Sequence, residues 1–205
     1  GSLYEQVRTH AWAGAESCYV LYTLASQALH LNGELWECGV YRGGTALLLN
    51  KVIESRDNVD RAIKLRLFDT FEGMPEVDPH RDLVRAGDFA GTSVEEVRDR
   101  VTGPHVSIHK GLIPETFEGL EQANIAFAHI DVDIYKSVWD CCSFIYERLV
   151  PGGFMIFDDY GFAECPGARQ AVDEFFRGKP ERPLVLPTSQ AVVFSSCRAG
   201  PIQKA

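Results

Sequence analysis

The sequence predicts an α/β fold, with a mostly parallel sheet covered by helices on both faces. Three observations predict it. Short apolar runs recur at 34–39, 65–69, 106–110, 125–131 and 154–159. Stretches of helical period stand between most of them, and glycines or prolines punctuate the joints. Buried parallel strands read as continuous apolar runs, and strand–helix alternation forces parallel pairing through crossovers.

Residues 15–30 place Val20, Leu21, Leu24 and Ala28 on one helical face, with Gly33 beyond as a stop. ELWECG (34–39) is the first strand and GTALLLNKVIES (44–55) the helix after it; LRLFD (65–69) is the second strand. Residues 70–92 carry two prolines and three glycines and are too long for a simple connector, which is the character of a lid. Ser93–Glu96 is a capping box opening a short helix striped by Val94, Val97 and Val101. VSIHK (106–110) and IAFAHID (125–131) are strands three and four, followed by a helix at 136–149. Pro151-Gly152-Gly153 breaks that helix before strand five, FMIFDD. Pro166 opens a helix over 166–177, which Gly178 ends. LVLP and AVVFSS, split by Thr188-Ser189-Gln190, form a closing hairpin that adds an antiparallel strand.

The bulk properties narrow the function. One domain is expected from 205 residues, with Gly1-Ser2 read as a cloning remnant, 3–32 as an N-terminal helical segment and 33–196 as the core. The net charge of −9 lacks a basic cluster, which argues against a nucleic-acid partner. No stretch reaches the roughly 18 apolar residues of a membrane span, and no signal-peptide layout is present. The six cysteines have neither zinc-ligand spacing nor disulfide-framework density, so reduced thiols in a cytoplasmic protein are expected.

The chemistry sits at the strand ends. Asp131 and Asp133 close strand four, and Asp158 and Asp159 close strand five. Acids at the carboxyl ends of parallel strands line the crevice where open α/β sheets bind ligands. Converging carboxylates repel one another by roughly 1–4 kcal/mol per close pair, and a divalent cation reverses that penalty. An all-oxygen set suits Mg²⁺, with Mn²⁺ or Ca²⁺ next and zinc disfavoured. In WECGVYRGGTALLL, Glu37 ends strand one and Gly39, Gly43 and Gly44 lead into a helix. Tyr41 stands where a dinucleotide loop has its second glycine, and no P-loop lysine follows. An acid at that strand end repels a pyrophosphate and attracts an ammonium. Asp69, ending strand two, is placed to accept hydrogen bonds from a ribose, with a turn cap as the alternative. An amine and a ribose without phosphate point to S-adenosylmethionine.

The segments ECGVYRGGTA (37–46), LFDTFEGMPE (67–76), HKGLIPETF (109–117), HIDVDIYKS (129–137) and PGGFMIFDDYG (151–161) resemble the macrocin O-methyltransferase family. Its members are metal-dependent class I methyltransferases acting largely on sugar hydroxyls of antibiotics. The resemblance implies a Rossmann-like class I methyltransferase fold, a seven-stranded sheet with one antiparallel strand. It implies donor contacts at Glu37, Gly39, Gly43, Gly44, Thr45, Asp69 and Gly111, with Phe71, Asp88 and Phe89 near the adenosine. It also implies Asp131, Asp158 and Asp159 as ligands of Mg²⁺ or Mn²⁺. The expected acceptor is a small hydroxylated molecule, a sugar or polyol, and a homodimer is the expected assembly. For the base that takes the hydroxyl proton, Asp131 and His80 are the candidates, while Asp133 is read first as an orienting group behind the ligands, with a ligand or a cap of the helix at 136 as the alternatives. Two other readings compete: a Mg²⁺-dependent phosphoryl-transfer or nucleotide-sugar enzyme, and a non-catalytic module that binds S-adenosylmethionine.

Overall fold

A computed structural model of the chain describes residues 3–55 and 63–196. The helices are α1 (Leu3–Val7), α2 (Ala15–Ala28), α3 (Gly44–Glu54), α4 (Val94–Arg100), α5 (Tyr135–Ile145) and α6 (Pro166–Phe175). The strands are β1 (Glu34–Cys38), β2 (Leu65–Asp69), β3 (Val106–Lys110), β4 (Ile125–Ile130), β5 (Leu149–Phe157), β6 (Leu184–Val185) and β7 (Ala191–Phe194). They form a seven-stranded sheet in the order β3-β2-β1-β4-β5-β7-β6. β7 runs antiparallel to both β5 and β6, and the other pairings are parallel.

Side-chain alternation along the strands divides the core in two. Leu35, Leu65, Leu67, Ala126, Phe154, Ile156 and Val192 pack with residues of α1–α4 on one face. Trp36, Cys38, Phe68, Ala128, Met155, Phe157 and Val193 pack with α5 and α6 on the other. Cross-strand neighbours that share a face therefore share a layer, and this parity later decides which polar residues meet. Ser93 caps α4 as the capping box predicts, its side chain accepting from the Glu96 amide.

The helix expected to reach residue 149 stops at Ile145, followed by a 3₁₀ turn over Tyr146–Arg148. β5 begins at Leu149 and continues through Pro151-Gly152-Gly153, where the sequence predicts a break. The register with β4 jumps between Ile125 and Phe127, so the glycines are absorbed as a sheet irregularity. Five described cysteines (18, 38, 141, 142 and 165) are buried and free, and Cys197 lies outside the described residues. Among the described residues, no helix is long and apolar enough to cross a membrane.

Candidate active site

The strand order reverses direction on either side of β1, which pairs with β2 on one edge and β4 on the other. A sheet opens a crevice at such a switch point, beyond the carboxyl ends of the strands. Here it holds a cavity of about 560 Å³, within the ordinary range for a small-molecule site. Its lining includes Gly39, Tyr41 and Asp69 from the ends of β1 and β2, Gly111 after β3, and Asp131, Asp133, Asp158 and Asp159 after β4 and β5.

The glycine loop is built by two long-range contacts. Gly39 has φ +85°, and a Cβ there would lie 1.7 Å from the Asp131 carbonyl oxygen, so the β1 and β4 turns touch backbone to backbone. Asp69 holds the loop from the β2 side. Its Oδ2 accepts from the amides of Val40 (2.7 Å) and Tyr41 (2.8 Å), and its Oδ1 accepts from Phe71 N (2.7 Å). A carboxylate offers about four acceptor positions, so one on Oδ1 stays open toward the cavity. Asp69 is thus a turn cap, and a ribose contact is compatible with that role.

Four non-glycine residues around the cavity sit in the left-handed region: Tyr41 (φ 49°), Phe71 (φ 53°), Phe89 (φ 64°) and Asp133 (φ 57°). Such backbone costs on the order of 1–3 kcal/mol per residue and gathers where geometry serves a ligand.

The acids fall into two touching groups. Asp131, Asp158 and His129 bring one atom each within 4.8 Å of one another, and Asp133, Asp159 and Cys165 do the same. Asp159 Oδ2 accepts from the Asp133 amide at 2.9 Å, locking the two loops together. His129 is fully buried between two carboxylates, with Nδ1 3.0 Å from Glu37 Oε1 and Nε2 3.3 Å from Asp158 Oδ1. Facing two ionised carboxylates, which only accept, both ring nitrogens donate and His129 is an imidazolium. Burial alone lowers its pKa, but the hydrogen bonds and charges of Asp158 and Glu37 outweigh it and hold it well above 6.5. Burial raises the Asp158 pKa, and the His129 and Gln190 hydrogen bonds overcome this and keep it below 3.8. Burial and neighbouring aspartates push Asp131 and Asp159 well above the usual carboxylate range. Asp133 is pushed up to about 6, first by burial and then by the charges of Asp158, Asp69 and Asp88, against a Cys165 hydrogen bond that lowers it.

Several sequence-predicted residues lie elsewhere. Gly43 faces Val97 of α4, and a Cβ on Gly44 would meet Ala11 N at 2.3 Å, so these glycines admit neighbouring chain; with buried Thr45 they stand outside the cavity lining. Glu37 is fully buried and outside the lining, and its Oε2 has no hydrogen-bond partner among the described residues. Phe71 is buried beside the lining, whereas Phe89 and Gly111 are part of it. Asp88 is exposed and accepts from Arg85 N (2.8 Å). His80 is exposed on the 70–92 segment, its amide donating to Asp78 Oδ1, and it stands outside the cavity lining.

Sequence reasoning missed Asp82, a buried carboxylate that pins the 70–92 segment. Its Oδ1 accepts from Tyr135 N (2.9 Å) and its Oδ2 from Asp78 N (3.1 Å), while Arg81 stacks over the Tyr135 ring at 3.8 Å. The segment thereby contributes Met74, Pro75, Val84 and Phe89 to the cavity. No local pattern announced Asp82, because its partner amide is far away in sequence.

Residues 21–186 match the family model described as macrocin O-methyltransferase (TylF). The chain belongs to the macrocin O-methyltransferase family. Among its relatives in that family, the demethyldecarbamoylnovobiocin O-methyltransferase of Streptomyces niveus is 31% identical, over 70% of this chain and 58% of its own length. A tetracenomycin-rhamnosyl 4'-O-methyltransferase of Streptomyces olivaceus is 32% identical, over 72% of this chain and 59% of its own. The chain therefore matches less than two thirds of the length of these curated relatives. The fold is shared with the solved O-methyltransferase NovP (TM-score 0.77, 22% identity, 91% of this chain and 82% of that one). It is also shared with the calicheamicin methyltransferase CalS11 (TM-score 0.75, 19% identity, 87% and 78%).

The donor set here suits a hard divalent cation. Both His129 nitrogens are occupied by carboxylates, and the Cys165 thiol, its pKa raised by burial and the nearby aspartates, donates to Asp133 Oδ1, which leaves carboxylate oxygens as the main ligating groups. Burial first, and then the charges of neighbouring aspartates, hold Asp131 and Asp159 toward their neutral forms, an imbalance that a bound Mg²⁺ or Mn²⁺ would relieve.

Proposed function

We propose that this chain is an S-adenosylmethionine-dependent O-methyltransferase of natural-product biosynthesis. Its acceptor is a hydroxyl of a sugar or other vicinal-diol molecule, and Asp131, Asp158 and Asp159 hold Mg²⁺ or Mn²⁺. The observation that carries this reading is the meeting, in one cavity, of the glycine turn at Gly39 with four aspartates from two adjacent strand ends. When bound, the donor supplies a methyl group on a positively charged sulfur, and the cation supplies charge that favours the alkoxide form of the acceptor hydroxyl.

The chain's residues divide the remaining work. Gly39, Tyr41, Gly111 and the open position on Asp69 Oδ1 form the donor side of the cavity. Asp133 lines the cavity beside the proposed ligands, where its carboxylate is placed to accept the hydroxyl proton. It replaces His80, which lies outside the lining, and frees Asp131 to act as a ligand. The 70–92 wall excludes water and fixes orientation.

Among the described residues, the cavity lining contains aspartates and Glu164 but no Lys, Arg or His, which disfavours the phosphoryl-transfer alternative. Trp12, Leu112 and Phe162, all exposed and all lining the cavity, favour an apolar group attached to the sugar. The names of the relatives, on novobiocin and rhamnosyl-tetracenomycin scaffolds, support the same class. A homodimer is carried with this reading and is checked by light scattering.

Methyl transfer to a panel of sugar-bearing aromatic acceptors, with and without EDTA, tests the proposal. Turnover should stop in EDTA and return with Mg²⁺. Asp158→Asn should lose at least ~100-fold in turnover, from the changed charge and hydrogen bonding at the cation, and still bind S-adenosylhomocysteine. Donor binding with no transfer to any acceptor would favour the non-catalytic module.

A further inference from the structure

Asp158 is gripped from two sides by buried donors, and only one of them is a sequence neighbour of the carboxylate cluster. The β5–β7 register pairs Phe157 with Ala191, which sets Gln190 directly across from Asp158. Gln190 is fully buried, and its Nε2 donates to Asp158 Oδ1 at 2.7 Å. The amide's other end, Oε1, accepts from Thr188 Oγ1 at 2.9 Å, which fixes which end faces the carboxylate. The Gln190 backbone carbonyl accepts from Leu186 N at 2.8 Å, so the turn itself is held.

On the far side, β1 and β4 pair Glu37 with His129, and His129 reaches Asp158. The result is one hydrogen-bonded row, Glu37–His129–Asp158–Gln190–Thr188, running across β1, β4 and β5 to the turn before β7. Within it, Asp158 Oδ1 receives both donors, Oδ2 receives neither, and Asp158 lines the cavity.

We infer that Gln190 is a positioning residue for the cation: it immobilises Asp158 Oδ1 so that Oδ2 presents to the ion, with Thr188 fixing the amide's orientation. The inference rests on the assignment of Asp158 as a cation ligand. A group behind a metal ligand that orients it changes affinity by ~10–100-fold when removed. A residue kept only for packing would be replaced without loss by a side chain of similar volume.

The test is a Mn²⁺ titration followed by electron paramagnetic resonance, on the full chain with neither donor nor acceptor present. Gln190→Met keeps the volume and removes the donor. It should weaken Mn²⁺ binding by ~10-fold or more while S-adenosylhomocysteine affinity, read by calorimetry, stays within about twofold. Thr188→Val should weaken Mn²⁺ binding in the same direction by a smaller factor, and it serves alone if the buried substitution fails to fold. Mn²⁺ affinity unchanged in folded Gln190→Met, or in Thr188→Val where only that variant folds, overturns the inference. Asp158→Asn separates the two levels: if it binds Mn²⁺ as the parent chain does, the ligand assignment fails and the Gln190 role falls with it. If Asp158→Asn loses the ion and Gln190→Met keeps it, only the positioning role is refuted.

Discussion

Without the proposed divalent cation, the stability of this protein should fall as pH rises from about 4 to 7, and adding the ion should reverse the trend. The cause is a cluster of carboxyl groups whose pKa values rise on folding. Asp133 goes from 3.8 to about 6, which corresponds to roughly 3 kcal/mol lost above pH 6, before screening by cavity water reduces it. The sign follows from linkage: a group that binds its proton more tightly when folded carries no penalty below 3.8 and the full penalty above its folded pKa. Asp131 and Asp159 shift in the same direction. Asp158 shifts oppositely, but its contribution is lost only as pH falls below its unfolded value of 3.8, outside this window. The contribution of His129 is complete below 6.5 and is lost only as pH rises through a folded pKa well above that. A cation at 100 times its dissociation constant stabilises by about 2.7 kcal/mol. For a chain of this size that is a gain of about 5–10 °C in Tm. Differential scanning fluorimetry at pH 5.0 and 7.5, with Mg²⁺ or with NaCl of equal ionic strength, reads the effect. The Mg²⁺ gain should be near its full value at pH 7.5 and under about 2 °C at pH 5.0, where Asp131, Asp133 and Asp159 hold their protons more tightly than free aspartates do. Equal gains at both pH values, or none at pH 7.5, would refute the reasoning.

Two further perturbations probe the cavity walls. Gly39→Ala places a Cβ 1.7 Å from the Asp131 carbonyl oxygen at a φ of +85°; chemical denaturation should show a loss of roughly 4 kcal/mol or more, or no folded protein. Asp69→Asn leaves one oxygen to serve amides that now use two. It should cost about 1–3 kcal/mol and weaken S-adenosylhomocysteine binding in calorimetry, whereas parent-like affinity would mean the turn does not depend on that cap.

The strands were legible because buried parallel strands are written as unbroken apolar runs, and IAFAHI and FMIF have no other comfortable home. The four aspartates were legible because a strand end fixes them in space without any knowledge of the partner strands. What escaped depends on tertiary register. Nothing local says that Glu37 faces His129 instead of the cavity; that follows from the β1–β4 pairing. The pairing of Gln190 with Asp158 follows from the β5–β7 register and is likewise invisible along the chain. Gly44 looks like a ligand-facing glycine, yet the N-terminal segment at His10 and Ala11 fills the space beside it. His80 stood out as a histidine in the expected lid, yet it is exposed, its amide held in a turn by Asp78.

The account stands on a divalent ion held by Asp131, Asp158 and Asp159. An anomalous difference map from a crystal grown with Mn²⁺ and S-adenosylhomocysteine tests it most directly. The account predicts one strong peak within ligand distance of oxygens from all three aspartates, on the cavity side of Asp158. A map with no peak there, and with the three carboxylates turned away from one another, would contradict it.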